Sequence, residues 1–228
     1  MTSRLVDLVA AARVLMLDFD GPVCALFAGY PAPVMAEELC ALAADRGATV
    51  TSDSPLQVLR EVAALDNPAL TQAVADAAGD AEVIAAATAR PTAGVDAVLR
   101  AARGTGRRVA IVSNNAAEAV HAYLNRHALD EHVDLVVGRY DGMDPRQLKP
   151  DDHLVRLALR SLAVAPEAAL FVGDSTTDIE AGHAAAVPTI GYANKPGKRE
   201  RLSAAGADAV IDSMAELVDA MHASADRA

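Results

Sequence analysis

The chain has 228 residues, of which 52% are hydrophobic and only 3% aromatic, and its formal net charge is −11. This length suffices for one large α/β domain or for a domain with an insertion, and the apolar content excludes a disordered chain. The negative charge argues against nucleic acid and anionic membranes as partners. Two cysteines are too few for a disulfide scaffold, which favours the cytoplasm. The apolar runs near the N-terminus are short and carry charges, so we expect neither a signal peptide nor a membrane span.

Six short apolar runs predict buried strands that alternate with helical patterns. The runs lie at residues 13–17, 109–112, 133–137, 169–172, 187–190 and, more weakly, 209–211. Helical patterns separate them, for example at 94–103, 116–127 and 152–162, and Ser213 with Glu216 has the spacing of a capping box before a C-terminal helix. The alternation predicts an α/β fold with a doubly wound, Rossmann-like parallel sheet.

The alternation breaks between residues 24 and 90. No strand-like run occurs there, and Ala-rich helical patterns are punctuated by prolines. We therefore predict two domains: a core formed by residues 1–23 and 91–228, and an α-helical cap of residues 24–90 inserted after the first strand.

Polar side chains follow four of the predicted strands. In chain order these residues are Asp18 and Asp20, Ser113 and Asn114, Lys149, and finally Asp174 and Asp178. Ligands of an open parallel sheet bind at the carboxyl ends of its strands, so these residues are predicted to form one site.

The residue types in this set suit phosphoryl transfer. Carboxylates with little else polar favour a hard cation such as Mg²⁺, which also binds phosphate oxygens. One carboxylate can attack phosphorus if positive groups such as Lys149 neutralise the phosphoryl oxygens. A second acid one residue away, as Asp20 is from Asp18, can protonate the leaving alcohol.

The four segments together resemble the ordered motifs of haloacid dehalogenase-like hydrolases. The segments are Asp18-Phe-Asp-Gly, Ser113-Asn, Lys149-Pro and Gly-Asp174-Ser-x-x-Asp178. The nearest subgroup is that of the phosphoglycolate-phosphatase-like enzymes, which carry a helical cap. The resemblance implies a magnesium-dependent phosphatase that hydrolyses a small phosphorylated metabolite through an aspartyl-phosphate.

The resemblance also implies a role for each residue. Asp18 would be the nucleophile and Asp20 the general acid and base. Ser113, Asn114 and Lys149 would bind phosphate, and Lys149 would also steady Asp18. The metal ligands would be Asp18, Asp20 through its carbonyl, Asp174, and Asp178 directly or through water.

Two positions depart from the family pattern. Pro22 stands where Thr or Val is usual, and it removes one backbone N–H beside the site. Ala186 stands where Gly is usual, which the sequence alone suggests is a packing change.

Other interpretations of these residues stay open at this point. Asp18 and Asp20 could form a simple turn, Ser113 and Asn114 could cap the following helix, and Asp178 could be favoured by a helix dipole. A sugar-phosphate mutase or a catalytically silent binding module of the same fold are the alternative functions. The cap offers only three basic residues for a second anionic group, namely Arg46, Arg60 and Arg90. The natural substrate and the choice between monomer and homodimer are not readable from the sequence.

Overall fold

The computed structural model describes residues 3–225, so the outermost residues of the predicted core, 1–2 and 226–228, lie outside the described residues. The strands are β1 Val14–Leu17, β2 Cys24–Ala25, β3 Arg90–Pro91, β4 Arg108–Ala116, β5 Leu135–Arg139, β6 Ala169–Gly173, β7 Thr189–Tyr192 and β8 Ala209–Ile211. The helices are α1 Ser3–Ala11, α2 Ala32–Asp45, α3 Pro55–Ala64, α4 Pro68–Ala86, α5 Val95–Gly104, α6 Ala117–His127, α7 His153–Ser161, α8 Thr176–Ala184, α9 Lys198–Ala204 and α10 Met214–Ala225.

Six strands form one parallel sheet in the order β5-β4-β1-β6-β7-β8. Each of the six predicted apolar runs overlaps one of these strands, and the doubly wound class is confirmed. Strand β1 lies between β4 and β6, so the order reverses at β1 and a crevice opens at the carboxyl ends of these three strands. The central strands β1 and β6 are buried along their whole length, which explains their unbroken apolar sequence.

Helices cover the sheet. Helices α1 and α5 both pack on α10, whereas α8 and α9 pack together beside β6, β7 and β8. The predicted cap at the start of α10 is present in part, since Glu216 Oε1 accepts from the Ser213 N–H at 3.2 Å. Within residues 3–225, none of the helices combines the length and apolarity that crossing a bilayer requires.

The segment between β1 and α5 contains three helices, α2, α3 and α4, that pack on one another. We call these three helices the insert. The strands β2 and β3 pair antiparallel where the chain enters and leaves it, and at two residues each they are too short for a sequence pattern to reveal. Helix α4 also packs against α6 and β4 of the core, and α3 approaches the turn at 145–147.

Ala186 has a backbone conformation that favours glycine. Its φ is +61°, in the left-handed region. Helix α8 ends just before it in a Schellman motif, in which Val187 N donates to Gly182 O at 2.8 Å and Ala186 N donates to His183 O at 2.9 Å. The departure from the family pattern at Ala186 is therefore a matter of backbone strain rather than of packing.

Replacing Ala186 with Gly should raise the free energy of unfolding by about 1 kcal/mol, because the strain of a Cβ in the left-handed region is removed. Urea denaturation of the purified variant measures this change. The matched control is Ala184→Gly, an exposed position in the last turn of α8, where the same substitution should destabilise by about 0.5–1 kcal/mol. Equal effects at both positions would contradict the strain at Ala186.

Candidate active site

Asp18 and Asp20 lie where β1 ends, and both are shielded from water. Asp18 follows the last residue of the strand, is 8% exposed, and its N–H donates to Val172 O of β6 at 2.9 Å. Asp20 is half-buried, and its Oδ1 accepts from the Leu26 N–H at 2.9 Å. The structure thus holds Asp18 through the sheet and Asp20 through the turn that leads to the insert.

The turn after Asp20 brings the first strand close to the fourth motif. Gly21 has a φ of +113°, and a Cβ at this position would lie 2.4 Å from the Asp174 carboxylate carbon. The Gly21 carbonyl accepts from Thr92 Oγ1 at 2.6 Å, so the turn is tied to the chain that leaves the insert. Only glycine lets the Asp174 carboxylate lie against this turn.

Lys149 is the cation at the centre of the site. It is 2% exposed, and its Nζ donates to Asp18 Oδ1 at 2.8 Å, to Asp178 Oδ1 at 2.6 Å and to Val112 O at 3.0 Å. The ammonium also lies 5.2 Å from the centre of the Phe171 ring. An ammonium has three donors, so Lys149 is fully engaged by these three oxygens.

Asp178 and Asp174 are held by different parts of the chain. Asp178 Oδ2 accepts from Ser175 N at 3.1 Å while Asp178 N donates to Ser175 Oγ at 3.2 Å, which forms a capping box at the start of α8. Asp174 Oδ2 accepts from Asn194 Nδ2 at 2.9 Å and from Lys198 Nζ. Asp178 therefore caps a helix with one oxygen and binds Lys149 with the other, so its helix-capping role does not exclude a role in the site.

Three carboxylates converge closely enough to hold one cation. Oxygens of Asp18, Asp174 and Asp178 lie within 4.8 Å of one another. Each oxygen can accept more than one interaction, so the bonds to lysines and to the helix cap leave ligand capacity. The all-oxygen donor set fits Mg²⁺ better than zinc, whose sites usually include nitrogen or sulfur ligands.

Burial changes the protonation of the two acids at the end of β1. It raises the pKa of Asp18 to about 7, although the Lys149 ammonium acts in the opposite direction. Burial also raises the pKa of Asp20 to about 6, opposed by the Leu26 N–H. Burial alone would lower the pKa of Lys149, but Asp178 and Asp18 together outweigh it and raise that pKa. The buried lysine therefore stays charged while the acids bind protons more readily than exposed aspartates do.

Ser113 and Asn114 lie near the end of β4 and are buried. Ser113 Oγ donates to Asn115 Oδ1 at 3.0 Å and accepts from Asn115 N at 3.2 Å. The Asn114 side chain brackets the Lys149 peptide, because its Oδ1 accepts from Lys149 N at 2.8 Å and its Nδ2 donates to Lys149 O at 3.1 Å. Asn114 thus contacts the site through Lys149.

Sequence reasoning did not identify several residues that contact the site. Lys198 and Asn194 both bind Asp174, and Glu82 of α4 bonds to Asn115 and to the Ala116 N–H. Lys198 is one of three lysines in the chain, which is the one signal that could have drawn attention to it. Glu82 has the helical spacing of the buried Ala78 and Ala85, a signal that a charge lies on a packed face.

The three arginines of the predicted cap have different environments. Arg46 and Arg90 are exposed. Arg60 of α3 is partly buried, and its Nη2 donates to Lys149 O. Arg60 therefore reaches the Lys149 loop, which makes it the member of the three that contacts a predicted site residue.

The fold and the site together define the class of protein. It is a doubly wound α/β protein with clustered acids and a buried lysine at the strand ends where the order of its sheet reverses. The chain belongs to the haloacid dehalogenase-like hydrolase family, whose sequence model matches residues 56–192, more than half of the chain. This range includes Ser113, Lys149, Asp174 and Asp178.

Curated relatives carry a more specific name. The chain is 34% identical over 128 residues to a plasmid-borne phosphoglycolate phosphatase of Cupriavidus necator, a match that covers 54% of this chain and 52% of the relative. It is 35% identical over 130 residues to a phosphoglycolate phosphatase of Rhodospirillum rubrum, with coverage of 55% and 51%. The chain thus spans about half the length of the curated relatives it matches.

Solved structures share the fold over nearly the whole chain. A haloacid dehalogenase-like family protein from Streptococcus pneumoniae is similar with a TM-score of 0.65 at 11% identity, covering 92% of this chain and 98% of the other. CbbY from Rhodobacter sphaeroides, solved in complex with phosphate, has a TM-score of 0.64 at 21% identity, with coverage of 90% and 96%. At these identities the likeness concerns the fold alone.

Replacing Lys149 with Met should lower the free energy of unfolding by roughly 3 kcal/mol, because Asp18 and Asp178 would lose the buried cation between them. Chemical denaturation in the presence of a chelator measures the loss without a metal ion replacing the ammonium. Lys195→Met, at an exposed lysine, is the control and should leave the free energy of unfolding nearly unchanged. Similar free energies of unfolding for both variants would mean that Lys149 does not balance the charge of the acid cluster.

Proposed function

We propose that this protein is a magnesium-dependent phosphatase that hydrolyses a small phosphorylated metabolite through an aspartyl-phosphate on Asp18. The observation that carries the proposal is the position of Asp18 at the end of β1. There it is buried, paired with Lys149, and clustered with Asp174 and Asp178. The phosphoglycolate phosphatases among its relatives support the same reaction class.

In the first step an Asp18 carboxylate oxygen attacks phosphorus, and the bond between phosphorus and the ester oxygen breaks. Asp20 gives its proton to the leaving alcohol oxygen. The raised pKa of Asp20, caused mainly by burial, suits a carboxyl that must hold a proton until the alcohol leaves. The products of this step are the free alcohol and the phosphoryl group on Asp18.

In the second step water attacks the phosphoryl group on Asp18. Asp20, now a carboxylate, takes a proton from the water, the bond between Asp18 and phosphorus breaks, and orthophosphate leaves. Asp18 returns as a carboxylate and Asp20 as a carboxylic acid. The Asp20 Oδ1 is oriented throughout by the Leu26 N–H, so its second oxygen is left to exchange the proton.

The proposed ligands of Mg²⁺ are Asp18, the Asp20 carbonyl, Asp174 and Asp178. The positive charge that Mg²⁺ supplies when bound would offset the phosphoryl oxygens and the clustered carboxylates. Lys149 orients Asp18 Oδ1, and it reaches a phosphoryl oxygen only by releasing one of its three present acceptors. Ser113 would donate to a phosphoryl oxygen by rotating its hydroxyl hydrogen away from Asn115 Oδ1, while its oxygen keeps the hydrogen bond from the Asn115 N–H.

The surroundings of the site support an anionic substrate of small size. A recess of about 200 Å³ opens beside Asp174 and is lined by Ser175, Thr176, Lys198 and Arg201. The two basic side chains give this side of the site a local attraction for anions within a strongly negative chain. Because of its relatives, 2-phosphoglycolate is the first ester to assay, followed by a panel of phosphorylated metabolites and a small aryl phosphate.

Replacing Asp18 with Asn should reduce turnover by several orders of magnitude, since the amide keeps the shape of the side chain but cannot attack phosphorus. The test measures phosphate release from the best ester of the panel, with circular dichroism to confirm the fold. Asp45→Asn, at an exposed acid of the insert, should retain full activity. Retention of more than a few per cent of activity by Asp18→Asn would mean that water attacks the ester directly.

Chelation with EDTA should abolish hydrolysis, and added Mg²⁺ should restore it. Ca²⁺ should inhibit, because its larger and looser coordination shell disturbs the alignment of the reacting oxygens. Rates measured across a Mg²⁺ titration, with and without Ca²⁺, provide the check. Undiminished hydrolysis in excess chelator would rule out the proposed metal site.

A further inference from the structure

Glu82 is a charged residue of the insert whose bonds run to the core. It lies on α4 and is 0% exposed. Its Oε2 accepts from Ala116 N at 2.7 Å and its Oε1 accepts from Asn115 Nδ2 at 3.0 Å. A carboxylate placed this deep in an interface is stable only where donors compensate its lost hydration.

Arg139 of β5 provides the opposite charge. Its Nη2 donates to Glu82 Oε2 at 2.9 Å and its Nη1 to Glu82 Oε1 at 3.3 Å, so the pair is bidentate. The same Nη1 donates to the Asn114 carbonyl at 3.0 Å. The ion pair therefore bonds to all three residues of the segment 114–116, which follows Ser113.

Glu82 fixes the orientation of the Asn115 amide. A carboxylate only accepts, so Asn115 must direct its NH₂ group toward Glu82 and its Oδ1 toward Ser113. The Ser113 hydroxyl then donates to that Oδ1, and its oxygen accepts from the Asn115 N–H. In this way the insert determines, through one amide, where the proposed phosphate-binding hydroxyl lies.

A second branch leads from the same segment to Lys149. The Asn114 side chain makes two hydrogen bonds to the Lys149 backbone, and the Asn114 carbonyl accepts from Arg139. Arg60 of the insert also donates to the Lys149 carbonyl. Both loops that would contact phosphate are thus braced by charged side chains of the insert.

We propose that Glu82 is a positioning residue through which docking of the insert sets the geometry of the Ser113 and Lys149 loops. This inference rests on the proposed phosphatase function and adds the condition that α4 must lie against the core for the phosphate-binding groups to reach their working positions. If α4 moves away, the Ala116 N–H and the Asn115 side-chain amide both lose their acceptor, the Glu82 carboxylate. Substrate binding and insert docking then favour each other.

Amide hydrogen exchange tests the positioning directly and does not require turnover. In Glu82→Gln, the backbone N–H groups of Asn115 and Lys149 should exchange at least about tenfold faster than in the wild type, the effect of losing one hydrogen bond to a charged group. Glu82 bonds to the Asn115 side chain, whereas these two backbone N–H groups donate to Ser113 Oγ and Asn114 Oδ1, so faster exchange there reports disorder transmitted along the loop. Asp80→Asn, an exposed acid of the same helix, is the control and should leave both rates unchanged.

The Phe171 amide of β6 serves as the reference for global stability, because it bonds to Pro188 O within the sheet. If Asn115 and Lys149 accelerate no more than Phe171 does, Glu82 contributes only general stability and the inference is wrong. The exchange result does not depend on whether the phosphatase proposal is correct. Should the wild type hydrolyse no ester and bind no orthophosphate, the phosphatase proposal fails while the exchange rates still decide the role of Glu82.

A double variant separates positioning from simple ion pairing and guards against a single variant that fails to fold. Glu82→Met with Arg139→Met replaces the buried pair by apolar side chains, which often restores stability. The inhibition constant of orthophosphate against ester hydrolysis should nevertheless stay at least about tenfold higher than in the wild type, as in Glu82→Gln, since the loop has lost its acceptors. Recovery of wild-type orthophosphate inhibition along with stability would show that the pair is merely structural.

Discussion

The buried ammonium of Lys149 makes the rest of the site possible. The topology of the sheet brings Asp18, which follows β1, and Asp178, in the first turn of the helix after β6, to adjacent positions, where two desolvated carboxylates would repel each other. Lys149 lies between them and also donates to the Val112 carbonyl of β4. One cation therefore joins residues that follow β1 and β6 to the strand β4, and its charge offsets the repulsion between the two carboxylates.

The position of Lys149 depends in turn on contacts that are distant in sequence. Its peptide is held by Asn114, and its carbonyl also accepts from Arg60 of the insert. Glu82 and Arg139 hold the segment that contains Asn114. The insert therefore contributes charged side chains, Glu82 and Arg60, that bond to the same loops that the proposed reaction would use.

The sequence predicted the sheet because its signals are local. The apolar runs of β1 and β6 are buried along their whole length, and the polar residue that follows each run stands out in the sequence, as Asp18 does after Val14–Leu17. The bracing contacts have a weaker signal. The helical spacing of Glu82 with Ala78 and Ala85 indicates a packed face, but no local pattern indicates its partner Arg139, which is 57 positions away. The orientation of Asn114 toward Lys149 likewise depends on tertiary packing, as does the strained backbone of Ala186.

The placement of Asp18 follows from strand pairing rather than from the region that matches the family model. That region, residues 56–192, begins after β1, and yet β1 pairs with β4 and β6, both of which lie within it. A strand inserted between these two must deliver its next residue to the crevice at their carboxyl ends, beside the residues that follow β4 and β6. Position 18 is that residue, so an aspartate there meets Lys149 and Asp178 as a consequence of the register. The pairing of β1 with its two neighbours therefore links the amino-terminal acid to the lysine and acids that the matched region supplies.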